Sequence, residues 1–470
     1  MTPCATGWRT CTFWETPTRP AGSGSPPARP MNWLRRSDGA TDADISPHAQ
    51  RHPARHRRED KSMDMKTAQL LRDQIEVERK RNAPPEGFPD LPPIPAGRYT
   101  DPAFHALEKR EIFDKAWLYA GSGWEIPNAG DYKSFDNFNR GPVLIIRGKD
   151  MKIRAFYNTC QHRGATITRE PCGHAGSRLK CQFHSWTYDL EGKLVGIPGP
   201  WDFSPDMDKS KHNLKPVRCE MWGEHIFINL SPDGPDLETY LGPVWSDFEW
   251  ASRLRPSNRR SRVMACNWRV AIEAFIEVYH ITTIHPTTVS STIDYRGTVS
   301  TFFPHGHSRM IVPNTPSNYK APPDEMPGDW DGGRALRGES NVSYHVFPNL
   351  LTPAGPSGYI LMEFWPHDHN HTEIVTWIVE PDWGEGEPPA DYFTRAEYFD
   401  VVLDEDTWNM EHIQHSLLSP SFAGPKCSYH EKRIYYLEQH VDHLLGDLVP
   451  EHLRVAPLLA DRIVNTACAV

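Results

Sequence analysis

The 470-residue sequence predicts an α+β protein, with a small all-β domain followed by a larger domain of helices packed on an antiparallel sheet. Three observations predict it. The length exceeds one ordinary domain and suggests two or three. Between about Trp117 and Leu230 the chain reads as short strands broken by glycine turns. After Leu230 helical spacing returns between longer apolar strands.

Residues 1–62 are rich in Pro, Arg, Ser and Thr, as in "PTRPAGSGSPPARP". Such a composition cannot bury a core and predicts a disordered extension. It contains no apolar h-region, and the lone Arg35-Arg36 pair makes no Tat signal. "DGATDAD" argues against a transit peptide. Met63 and Met65 open a region that abruptly looks like folded protein, which leaves open whether the extension belongs to the native sequence. Residues 63–116 read as a helical arm packing on the larger domain. A helix over 65–81 is followed by the proline-stiffened "NAPPEGFPDLPPIPAGRY". A second helix over 101–118 has Asp101 as N-cap and Pro102 in its first turn.

Residues 117–232 form the predicted β domain. "PVLIIRG" and "MKIRAFYN" flank a Gly148-Lys149-Asp150 turn, "SWTYDL" and "KLVGIP" flank Glu191-Gly192, and "EHIFINL" closes it. Residues 233–470 form the mixed domain. It holds a helix over 267–281, strands "VSYHVFPNLLT", "GYILMEFWP" and "HTEIVTWIVEP", a long amphipathic helix through "FDVVLDEDTWNMEHIQHSLL", and another in "HEKRIYYLEQHVDHLLGDL". Each domain is expected to have its own core, and no internal repeat is visible.

The net charge of −10 implies no basic surface and argues against nucleic acid as a partner. Nine scattered cysteines lack a disulfide framework and favour a reducing, cytoplasmic setting. No apolar run is long enough to span a bilayer.

"YNTCQHRGATITREPCGHAGSRLKCQFHSWTY" (157–188) places Cys160, His162, Cys181 and His184 as C-x-H-x18-C-x2-H. A structural zinc takes Cys₂His₂, but usually with Cys paired to Cys and His to His. Here each loop offers one of each, which suits a two-iron cluster with thiolates on one iron and imidazoles on the other. Gly164 allows close backbone approach, and Tyr157, Phe183 and Trp186 are expected to cover the site. Cys172 reads as a surface residue of an insertion. With "CQHRG" and "CQFHSW" intact, the stretch resembles the Rieske [2Fe–2S] domain of Rieske non-haem iron oxygenases.

"NWRVAIEAFIEVYHITTIHP" (267–286) holds a second candidate. Glu277 and His280 are three apart and share a helix face. Pro286 disfavours helix at His285, so the chain can swing His285 beside His280. Two neutral imidazoles suit ferrous iron, which in a facial triad also takes a carboxylate. Asp404, Glu405 and Asp406 compete for that place. Leu403, Met410, Ile413 and Leu417 mark an apolar stripe, and Asp406 lies on it, where an acid is costly unless paired or metal-bound. Asp404 and Glu405 rotate off it and are expected to be dispensable for the metal.

"NW…E…YH…H" followed by "ED…ME..Q" resembles the catalytic domain of the large (α) subunit of the aromatic ring-hydroxylating members of that family, over roughly residues 100–440. The resemblance implies a helix-grip, START-like catalytic domain with His280, His285 and Asp406 as ligands of mononuclear Fe(II). It implies a terminal oxygenase that takes electrons from NAD(P)H through a reductase, with or without a ferredoxin. The substrate would be an aromatic or related small organic compound, with O₂ as co-substrate. It also implies a ring of three subunits, with or without a β subunit, in which Glu277 links His280 to His184 of a neighbour. Glu277 in place of the commoner Asp, and a spacing one residue shorter before His280, look more like the choline/carnitine-type monooxygenases. An electron-transfer protein without catalysis would need no triad.

Other candidates have plainer readings. "HDHNH" (367–371) reads as a polar hairpin, His412 and His415 as helix histidines, and Glu431 and Lys432 as a solvated helix face. Trp268 and Phe275 read as core, Phe275 with the reach to touch a pocket floor, and Phe347, Leu351 and Phe364 read equally as sheet core or as the lining of an apolar substrate cavity.

Overall fold

β-Branched and aromatic residues pack well on a pleated surface, and runs such as Val143–Arg147 and Ile153–Tyr157 are strands in the computed structural model of the protein. The structure describes residues 63, 65–136, 141–320 and 331–464. The extension at 1–62 lies outside the described residues.

The first ten strands are β1 (Leu118–Ser122), β2 (Asp131–Phe135), β3 (Val143–Arg147), β4 (Ile153–Tyr157), β5 (Cys172–His174), β6 (Arg178–Lys180), β7 (Thr187–Asp189), β8 (Leu194–Gly196), β9 (Pro216–Trp222) and β10 (His225–Asn229). Seven form an antiparallel sheet ordered β1-β10-β9-β4-β3-β2-β5, and β6-β7-β8 form a small second sheet. Side chains alternate across a strand, and β3 shows the consequence. Leu144 and Ile146 join a core with Cys160, Cys181 and Trp186. Val143 and Ile145 face the other way, into one continuous core with Trp117, Trp268 and Phe364. The expectation of a separate core for each domain is therefore corrected: one core runs through both halves, and a second lies between β3, β4, the small sheet and the cluster loops. Cys172, expected in a surface insertion, sits on β5 opposite Lys133.

The larger half is built on β11 (Arg255–Met264), β12 (Val299–Phe302), β13 (Ser308–Pro313), β14 (Ser340–Val346), β15 (Leu350–Ala354), β16 (Tyr359–Asp368) and β17 (His371–Glu380), ordered β11-β17-β16-β15-β14-β13-β12. "VSYHVFPNLLT", expected as one strand, is the β14–β15 hairpin, turning at Phe347-Pro348. "HDHNH" is the β16–β17 turn, as expected. The helix Lys432–Leu445 lies against this sheet, with Tyr436 stacked on Phe302 at 4.5 Å and Arg433 Nε donating to Ser308 Oγ at 2.9 Å. Twelve of its residues are buried, including Lys432, so the expected solvated face at Lys432 is wrong.

Upstream, the helix Met65–Lys80 and the cap of Asp101, which accepts from Ala103 N at 2.7 Å, match expectation. Two helices do not. The helix expected over 267–281 ends at Glu273. The long helix expected through 399–418 is two, Ala390–Thr407 and Met410–Ser416. Of the expected apolar stripe, Ile413 is exposed, and Gln414 takes the buried position between Met410 and Leu417.

Candidate metal centres

The first cluster of donors sits on two matching loops. In each, a backbone bond closes a turn after the cysteine: Gly164 N to Cys160 O at 2.9 Å, and Ser185 N to Cys181 O at 3.0 Å. Each closing residue has positive φ, 74° at Gly164 and 58° at Ser185. This pairing of turns presents Cys160 and His162 opposite Cys181 and His184. The two imidazole centroids are 4.7 Å apart, and His162 stacks on Trp186 at 4.8 Å. Both cysteines are buried and free, and their thiols adjoin. Burial raises the Cys160 thiol, opposed by Tyr188, whose hydroxyl lies 3.4 Å from Sγ. His162 is pushed below its ordinary value by burial and by His184, which keeps its ring neutral.

The donor set fits the expected cluster on two grounds. His162 Nδ1 is buried without a hydrogen-bond partner, an unusual state for an imidazole nitrogen. Among the described residues the four donors do not converge as one tetrahedral ion requires; the sole single-ion group is elsewhere. The expected apolar cover is corrected in part. Trp186 is buried and Phe183, although exposed, lies against His184 with ring centroids 3.8 Å apart, but Tyr157 packs on the main core instead.

The second cluster is that single-ion group. Past Glu273 the last turn tightens, with Phe275 N bonding Ile272 O at 3.0 Å. Glu277 then accepts from Tyr279 N and from His280 Nδ1. These local bonds compete with helix, so Glu277 and His280 meet across an irregular turn and not along a helix face. One turn of helix, Ile281–Ile284, carries the chain to His285, which leaves helical geometry at φ −114°, ψ 48° before Pro286. The two imidazoles lie 5.2 Å apart. Asp406, near the end of the helix Ala390–Thr407 and 8% exposed, points Oδ1 between them, 2.9 Å from His285 Nε2 and 3.4 Å from His280 Nε2. The three donor atoms lie within 4.8 Å of one another. In the metal-free chain, burial opposes charge on both rings, but Asp406 and Glu277 outweigh it and hold His280 up at about 10. His285 is raised for the same reason, through Asp406 and Glu405.

Glu405 is the residue missed by sequence reasoning. Its Oε2 accepts from His285 Nδ1 at 2.7 Å and from Thr288 Oγ1 at 2.6 Å. The available signal was the position next to Asp406, one residue round the helix, on the side where His285 enters. Asp404 is exposed and pairs with Arg262, as its off-stripe position implies.

Comparisons with known proteins match both halves of the chain. The family model for the Rieske [2Fe-2S] domain matches residues 116–204, and that for the ring hydroxylating alpha subunit (catalytic domain) matches 251–447. The glycine betaine monooxygenase oxygenase subunit of Pseudomonas aeruginosa is 32% identical over 433 residues, 84% of this chain and 99% of that protein. The biphenyl 2,3-dioxygenase subunit alpha of Rhodococcus jostii is 36% identical over 195 residues, 40% of this chain and 42% of that protein. Two solved structures share the fold. A quaternary ammonium Rieske monooxygenase in complex with L-carnitine has TM-score 0.63 at 23% identity, covering 77% of this chain and 99% of that one. Naphthalene 1,2-dioxygenase from Rhodococcus sp. bound to indole has TM-score 0.63 at 20% identity, covering 83% and 100%.

Proposed function

The chain belongs to the Rieske oxygenase α-subunit family, and from that premise we propose how its own residues divide the work of a terminal oxygenase. Oxygenases of this family use a Rieske [2Fe–2S] cluster and mononuclear iron, with electrons from NAD(P)H through a reductase. When bound, the cluster passes single electrons and the ferrous iron supplies the site for O₂ chemistry.

Cys160, His162, Cys181 and His184 hold the cluster, and His280, His285 and Asp406 hold the iron. The observation that carries this reading is the convergence of the last three donors within 4.8 Å. Glu277 and Glu405 accept the Nδ1 protons of His280 and His285, so each ring offers Nε2 to the metal. Burial of His285 and Asp406 keeps bulk water from that side.

Glu277 has a second role. Among the described residues it bonds Tyr279 and His280, and nothing from the cluster loops. The working assembly is a ring of three copies, in which Glu277 links His280 to His184 of the next. Large exposed aromatics next to donor residues support this: Phe183 against His184, Tyr279 adjacent in sequence to His280, and Trp408 two residues after Asp406. The partners are a reductase, with a ferredoxin where it requires one. No helix among the described residues is long and apolar enough to cross a membrane, which is compatible with a cytoplasmic place. Glu277→Gln is expected to keep both metals and the trimer, yet slow reoxidation of the reduced cluster by orders of magnitude in stopped-flow single turnover. Near-normal reoxidation, or activity as a monomer, would sink the bridge.

For the substrate, we propose a small quaternary ammonium compound, monooxygenated at an N-alkyl carbon. The glycine betaine monooxygenase of P. aeruginosa aligns along its whole length, whereas the biphenyl dioxygenase subunit aligns over 42% of its own. Glu277 in place of Asp agrees. Ring hydroxylation of an aromatic substrate is the second reading, favoured by the matches to aromatic dioxygenases. Oxygen uptake with a surrogate reductase, screened on glycine betaine, carnitine, biphenyl and anthranilate with product analysis, separates them. Coupled uptake on an aromatic alone would overturn the first.

A further inference from the structure

Lys432 is the first residue of the helix Lys432–Leu445 and is only 7% exposed. Among the described residues it has no carboxylate partner and no side-chain hydrogen bond; its ammonium rests on the face of Tyr429, 3.4 Å from the ring centroid. A buried ammonium left this way is costly. It lines a cavity of about 140 Å³ between the N-terminal arm, β12 and the chain's last described residues, and the cavity shares no residue with either metal centre.

The other walls agree in chemistry. Arg462 lines the cavity, with Nη2 donating to Gly87 O at 3.1 Å and no carboxylate partner among the described residues. Ser300 and Gln74 also line it, and neither side chain has a partner among the described residues. Glu78 is the acid nearby, already held by Arg81 at 2.8 Å and by the Tyr429 hydroxyl at 2.8 Å. Lys432, Arg462 and Arg81 thus face one carboxylate. Phe88 and Phe302 supply apolar wall.

We propose that this cavity binds a small organic carboxylate, its charge on Lys432 and Arg462 and its short apolar tail against Phe88 and Phe302. The size is right: a cavity of about 140 Å³ has room for a small ion such as butyrate. Burial first, then Arg81 and Arg462, pull Lys432 down to about 7 against the opposing pull of Glu78, and a bound carboxylate restores its charge. The apolar walls of Phe88 and Phe302 favour an organic monoanion over phosphate.

Sodium butyrate is titrated calorimetrically into the full-length holoenzyme, with sodium chloride and sodium phosphate as separate arms. Wild type is expected to show saturable butyrate binding, and Lys432→Met, which keeps shape and removes the buried charge, to weaken it at least about tenfold, as loss of a charge-assisted contact implies. Arg462→Gln is expected to weaken it several-fold and serves if the first variant folds poorly. Butyrate should raise the melting temperature of wild type but not of Lys432→Met. No saturable heat in wild type, an affinity unchanged by both substitutions, or phosphate or chloride binding more tightly than butyrate would overturn the proposal.

Discussion

Glu405→Ala is expected to weaken ferrous iron binding about tenfold while leaving the [2Fe–2S] cluster intact. The carboxylate accepts the His285 Nδ1 proton at 2.7 Å, which fixes the ring's tautomer and its direction. Removing such an outer carboxylate costs a metal site ~10–100-fold in affinity, or about 1.4–2.7 kcal/mol. Two features place Glu405 at the low end. It is 25% exposed, so water replaces part of the contact, and Asp406 still faces the other nitrogen of the same ring. Thr288 donates to the same oxygen at 2.6 Å and holds the carboxylate in place. Thr288→Val should therefore weaken iron less than Glu405→Ala, and the double variant little more than Glu405→Ala alone. Iron is removed, then titrated back against a chelator of known affinity, with the cluster followed by its visible absorbance and EPR signal. Iron affinity equal to wild type in Glu405→Ala would refute the reasoning and return Glu405 to the dispensable place its off-stripe position first suggested. Additive effects of the two substitutions would refute the shared role of Thr288.

Asp406→Ala is expected to empty the mononuclear site and spare the cluster, and Asp404→Ala to keep both, by iron analysis with EPR. Cys160→Ala should abolish the Rieske signal, whereas His162→Cys should keep a cluster of lower potential, read by redox titration, because thiolate replaces imidazole. Iron loading should depend on pH. In the metal-free chain His280 titrates at about 10, so at neutral pH it is protonated and must release that proton to bind metal. Affinity should therefore rise with pH, by about one log unit per pH unit from this group alone, and level off above about 10. A flat profile between pH 6 and 9 would contradict the pairing with Asp406 and Glu277.

What was legible in the sequence followed from spacing and burial, and what was not followed from tertiary contacts. The two loops with Cys160, His162, Cys181 and His184 are local, so the chain order alone exposed them. Asp406 was found because a carboxylate on an apolar stripe needs a reason, and it is buried beside both histidines. Propensity could not see the break after Glu273, since "NWRVAIEAFIEVYH" is an acceptable helix throughout; the Glu277 carboxylate competes for Tyr279 N–H and His280 only once the loop is folded. Lys432 was misread for the same kind of reason. A lysine at a helix start reads as solvated, and the cavity wall it joins with Phe88 and Arg462 is assembled from segments distant in sequence.

The break after Glu273 explains why the helix before it carries such a concentration of buried charge. An irregular segment places ligands reliably only if its entry point is fixed. Arg269 fixes it, with Nη1 on Glu108 at 2.7 Å and Nε on Glu438 at 2.7 Å, all three fully buried. Glu438 also binds Arg98, which reaches Asp442 at 2.6 Å, so the N-terminal arm, the helix Trp268–Glu273 and the helix Lys432–Leu445 meet at one network. Burial pushes Glu273 well above the usual carboxylate range, and Tyr99 donates to it at 2.9 Å. Such pairs add little net stability over apolar packing, but breaking one leaves a buried charge at ~3–5 kcal/mol. Their effect is therefore directional: few other registers of the three elements satisfy every charge at once. A helix held that firmly lets residues 274–285 follow the contacts of Glu277 and Glu405, and the position of His280 and His285 is then set by two carboxylates rather than by helical geometry.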